Sequence, residues 1–169
     1  MISLELDKLK RKIPQIFEKV RMDVKKITGR QRAGLSLGLV EMGIHQGGFI
    51  GGIHFPPGTD IVINKTALKI LLEQSPEEII YAYTYHILLH EYIHSLGIYD
   101  EQQCRAVTLS ITEKIYNDIN HPALILAKKG IGVFFPDLHL IHHPPQQRYE
   151  EMIIEYIAGF DKNSYEFYS

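Results

Sequence analysis

Five side chains able to do acid–base or metal chemistry fall in one stretch, His90-Glu91-Tyr92-Ile93-His94-Ser95-Leu96-Gly97-Ile98-Tyr99-Asp100-Glu101. On a helix, His90 and His94 lie about 40° apart around the axis and roughly 6 Å apart along it. Both imidazoles can then reach one metal ion from one face. Glu91 is turned about 100° from His90, so it can flank the metal without ligating it. Two neutral nitrogen ligands, a carboxylate that takes a proton from water and an open coordination position are what a zinc hydrolase needs. Gly97 permits a sharp turn that ends the helix. The chain then folds back, and Asp100 can supply a third ligand, with Glu101 as the alternative.

A surface helix carrying two histidines without a shared role is the competing reading, since the pattern is short and the chain has 9 His. Three features count against it. The motif ends a long helix-forming stretch, a glycine falls where the helix must stop, and an acidic pair follows within reach of a tight turn. The acids have an ordinary use as well, because a carboxylate at a helix N-terminus is favourable with or without metal.

The stretch resembles the zinc motif of the metzincin metallopeptidases, HExxHxxGxx followed by His or Asp. That resemblance implies His90, His94 and Asp100 as ligands of one zinc ion per chain, Glu91 as general base and Gly97 as the turn. It implies a protein or peptide substrate, lying antiparallel along an edge strand, for which Gly51 to Phe55 is the candidate. Glu101 would be the ligand in a gluzincin-like arrangement, although the usual gluzincin separation is longer. Metzincins also place a methionine turn below the zinc; the one Met after the motif, Met152, sits in a segment that reads as helix. Two further functions remain open: a non-peptidase zinc amidohydrolase, and a binding module with a structural or vestigial zinc site.

Composition sets the frame. A chain of 169 residues with 45% apolar and 22% charged residues suits one globular domain with a real core. A net charge of −2 gives no general basic character and argues against nucleic acid as the partner. A single cysteine, Cys104, excludes an internal disulfide. No run is long and apolar enough for a membrane span. The first dozen residues alternate apolar and charged types, unlike a signal peptide, so the expected compartment is the cytoplasm.

The elements that must position the motif are expected as an α+β fold, a small twisted sheet packed on a long active-site helix with a metzincin-like architecture. Residues 1–30 read as an N-terminal helix, with Pro14 separating a short lead-in from the main segment. A basic cluster in and just after it, which includes Lys12, Lys19, Arg30 and Arg32, reads as a solvated face, with an acidic or nucleic-acid partner as the sharper alternative. Residues 34–64 hold three short strands: 35–42, 49–55 and 61–64. Lys65 to Glu73 is a short helix. Ser75-Pro76-Glu77-Glu78 is a helix-start signature with Ser75 as cap, and the helix runs to Leu96. The 76–117 region is completed by a helix from Asp100 or Glu101 to about Asn117. In it Cys104 reads as a buried inert thiol, with a position facing the site as the other possibility. Residues 121–169 form a C-terminal subdomain: a helix to Lys129, an irregular segment with His139, His142 and His143, a last helix from Gln146 to Ala158, and a polar tail. The three histidines read singly as loop residues, with oxyanion stabilisation as the other possibility; His45 and His54 read as loop or strand-end residues.

Overall fold

A computed structural model describes residues 2–44, 48–56, 58–135, 139–140 and 153–158. Helix α1 spans Ile2–Thr28. Its stripe of Leu6, Leu9, Ile13, Ile16, Phe17, Val20 and Val24 is buried along the whole length. Pro14 lies inside this helix and does not divide it. An interior proline costs about 3 kcal/mol, and the apolar stripe on both sides of it holds the helix through.

The sheet is mixed and four-stranded, in the order β3–β4–β1–β6. Strands β1 (Ser36–Val40) and β4 (Asp60–Asn64) are parallel. Strand β3 (Gly52–His54) pairs antiparallel with β4 at one edge. Strand β6 (Glu155–Tyr156) pairs antiparallel with β1 at the other. Residues 49–55 are thus not one strand. Phe49 belongs to a separate pair, β2 (Gly48–Phe49) with β5 (His139–Leu140). Phe49 packs into the helix-side core, and Ile50 packs on the opposite face.

The two faces of the sheet are distinct. Leu37, Leu39, Ile61 and Ile63 face the helices, and Val40, Val62 and Ile50 form a smaller cluster on the reverse. Glu155 and Tyr156 are strand, which corrects the expected terminal helix over its last turns; residues 146–152, including Met152, lie outside the described residues, as do His45, His142, His143, the side chain of His139 and the 161–169 tail. Three contacts hold the segment here. The Ile157 N–H donates to the Leu37 carbonyl at 2.9 Å, and Glu155 accepts from Lys10 and from Lys65.

Helix α2 (Lys65–Gln74) begins directly after β4, with the Asn64 side chain capping Thr66 N–H. Helix α3 (Glu77–Ser95) is the centre of the molecule, buried from Ala82 to Tyr85 and from Ile87 to Ser95. It packs on α1, α4, α5 and the β3–β4 edge. Ser75 does not cap it. Pro76 takes the cap position without a side-chain bond, and the N–H groups of Ile79 and Ile80 reach the Pro76 carbonyl. The other end is held from outside the helix. Arg32 donates to the Ser95 carbonyl at 2.6 Å, and Arg30 donates to that of Leu96. Two residues expected on a solvated face therefore satisfy the open carbonyls and the negative end of the helix dipole.

Gly97 follows with φ +104°. It turns the chain into α4 (Glu101–Ile115), and α5 (Pro122–Lys129) packs beside both. Among the described residues no helix is long and apolar enough to cross a membrane.

A Cβ at Gly97 would meet no atom within 4 Å. The cost of Gly97→Ala is therefore backbone strain alone, about 1–2 kcal/mol for a left-handed L-residue. A urea midpoint unchanged from the parent protein would contradict this account of the turn.

Candidate metal centre

The turn at Gly97 lays the start of α4 against the end of α3. His90 and His94 share one face of α3, with ring centroids 4.8 Å apart. Glu101, the first residue of α4, bridges them. Its Oε2 lies 3.0 Å from His90 Nε2 and its Oε1 2.7 Å from His94 Nε2. Both rings are buried and the carboxylate is 21% exposed. Asp100 is placed differently. Its side chain caps α4 by accepting from the Gln103 N–H at 2.8 Å, and the residue is exposed.

One hydrogen bond decides the character of this arrangement. His94 Nδ1 lies 2.8 Å from the Ile98 carbonyl, an acceptor, so Nδ1 carries the proton. A neutral His94 then presents a lone pair at Nε2, facing a carboxylate oxygen at 2.7 Å. Two acceptors at that separation need a proton or a metal ion to join them. Protonation follows the same logic. Burial works against a charged His90 or His94, but Glu101, Cys104 and Glu91 outweigh it and raise both imidazoles well above their ordinary value. Burial likewise opposes ionisation of Glu101, and the two imidazoles overcome it and hold the carboxyl far below the usual range.

Cys104 sits one helical turn after Glu101 and is fully buried. Its thiol donates to the His90 carbonyl at 3.3 Å. The donor atoms of His90, His94 and Cys104 all lie within 4.8 Å of one another, a buried group that can hold a metal ion. Burial pushes the thiol up, yet the neighbouring imidazoles leave it below its ordinary value. Nitrogen, sulfur and carboxylate donors together suit zinc or a similar transition metal better than magnesium or calcium.

Glu91 lies beside this cluster, buried, at the edge of the sheet. A Cβ at Gly52 of β3 would come to 3.1 Å from Glu91 Cγ and 3.0 Å from the Val62 carbonyl. Glycine there lets the strand lie flush against α3. Burial dominates and raises the Glu91 carboxyl above its usual value, against the lowering effect of His90, His94 and the His54 main chain. Glu91 is thus suited to hold a proton more readily than a surface glutamate.

No protein-family model, curated protein or solved structure matches this chain.

The geometry separates the two acids in a way metal analysis can check. Glu101→Ala is expected to weaken divalent-metal binding by more than the roughly 10- to 100-fold that losing an outer partner costs. Asp100→Ala should leave metal content unchanged and cost about 1 kcal/mol of stability through the lost cap. Metal lost from the Asp100 variant and kept by the Glu101 variant would reverse the assignment.

Proposed function

We propose that the chain is a zinc-dependent metallopeptidase of metzincin-like or gluzincin-like type, with His90 Nε2, His94 Nε2 and the Glu101 carboxylate as the zinc-holding atoms and Glu91 as the general base. The observation that carries this reading is the place of Glu91. A buried carboxylate, held at a sheet edge, flanks a cluster whose donors call for a cation.

Zinc at this centre would lower the pKa of water and polarise an amide carbonyl. The chain's own groups do the rest. Glu91 takes a proton from the attacking water and delivers it to the departing amine, a transfer favoured by a carboxyl whose pKa burial has raised. The Ile98 carbonyl fixes the tautomer and orientation of His94, as an outer partner of a metal-binding histidine does. Strand β3 ends the sheet among the described residues, so an extended peptide could add along it next to Glu91. Asp100 serves as the cap that presents Glu101.

A second reading has its own support, the position of Cys104. If its thiolate joins His90, His94 and Glu101, four protein donors close the site, as in structural zinc centres. A cobalt-substituted protein distinguishes the two. A thiolate-to-cobalt charge-transfer band that disappears in Cys104→Ser supports the closed site; a spectrum insensitive to Cys104→Ser supports the open one. For the peptidase reading, Glu91→Gln should retain zinc and lose roughly 10²- to 10⁴-fold in turnover on a substrate found by peptide-library screening. Parent-level turnover by that variant would remove Glu91 from the mechanism. Cleavage confined to small non-peptide amides would make the chain an amidohydrolase instead.

A further inference from the structure

Strand β3 carries a polar side chain that the reading above leaves unused. His54 is 7% exposed. It stands opposite Ile61 in the antiparallel pair, as Gly52 stands opposite Ile63. Directly opposed residues send their side chains to the same face. Ile61 and Ile63 belong to the helix-side core, whereas Ile53 and Val62 belong to the reverse face. The His54 ring therefore projects to the side on which Gly52 meets Glu91. Its neighbours fit this placement: its main chain acts on the Glu91 carboxyl, and the charges of Arg32 and His94 both act on the ring.

The two ring nitrogens are not equivalent. Nε2 lies 2.8 Å from the Gly58 carbonyl. A carbonyl only accepts, so Nε2 carries the proton and Nδ1 presents a lone pair. Nδ1 is buried and has no hydrogen-bond partner. A buried acceptor left unpaired is costly. This one lies on the face of the edge strand that holds Glu91, where an amide ligand would have an N–H to offer.

We propose that His54 is a positioning residue, its Nδ1 accepting a hydrogen bond from an amide N–H of a peptide-like ligand lying along the β3 edge beside the His90–His94–Glu101 cluster. The proposal rests on the amide-hydrolase reading of that cluster. It assigns the ring two tasks: Nε2 ties the strand to the turn at Gly58, and Nδ1 recognises the ligand.

Two small probes that differ at one group test it. Acetohydroxamate has the N–H; N-methylacetohydroxamate lacks it. Calorimetric titration of the zinc-loaded protein should give a preference for the N–H probe of about fivefold or more, the scale of one hydrogen bond. His54→Gln keeps a donor for the Gly58 carbonyl and should abolish that preference at near-parent stability. His54→Asn keeps an acceptor near the Nδ1 position and should retain the preference while losing stability. In the unsubstituted protein, the imidazole ¹⁵N signal of His54 Nδ1 should shift with the N–H probe and not with its methylated partner. An equal preference in the parent protein and His54→Gln, or an unmoved Nδ1 signal with the N–H probe bound, overturns the assignment while leaving the metal centre standing. Binding of neither hydroxamate by zinc-loaded protein overturns the open centre and the assignment together.

Discussion

Everything near the centre of this molecule depends on a conflict between acceptors. Glu101 points both of its oxygens at imidazole nitrogens, and one of those rings has already spent its proton on the Ile98 carbonyl. A second proton on the ring or a metal ion resolves that contact. The fold holds the three groups in place in either case. His90 and His94 are fixed by a helix buried over most of its length, and Glu101 is fixed by a capped N-terminus delivered through a single left-handed turn. Preorganisation of this kind places the cost of gathering like groups on folding, so that the cation meets donors already in position.

The packing around α3 serves the same end. The helix shows little amphipathic character because it is covered from several sides, by α1, α4, α5 and the β3–β4 edge. Tyr92 illustrates how fully the motif is used. Its ring meets Phe17 of α1 edge-on at 5.6 Å, and its hydroxyl accepts from the Arg32 main-chain N–H at 2.9 Å. The residues between the motif's histidines and glutamate are thus core residues, and the chemical groups occupy what remains of the helix surface.

Much of this was legible from residue types and spacing. The helix-borne pair His90 and His94, the glycine turn and the two long helices follow from local rules, a 3.6-residue period and one residue with access to positive φ. What was not legible depends on partners distant in sequence. Asp100 and Glu101 are adjacent and chemically alike. Which one turns inward is set by the helix start: the cap residue's side chain folds back on its own backbone, and the next residue faces the neighbouring helix. Cys104 follows from the same phase, since it lies three residues beyond Glu101 on that inward face. Arg30 and Arg32 looked like solvated charge because nothing local reveals that the end of α3 lies beside them. Glu155 and Tyr156 show helix-compatible spacing, and only pairing with β1 makes them a strand. His54 was hidden by a strand too short for its alternation to be read with assurance.

Arg32 has one more consequence. Its guanidinium donates to the Ser95 carbonyl at the end of α3 and, at 3.2 Å, to the Gly58 carbonyl in the turn that follows β3. The helix and the edge strand are the two walls beside Glu91, and a single planar group spans between them. The end of the helix and the turn after the edge strand are therefore held at the spacing of one guanidinium. Lysine, with one compact charge on a flexible stem, offers no such measure.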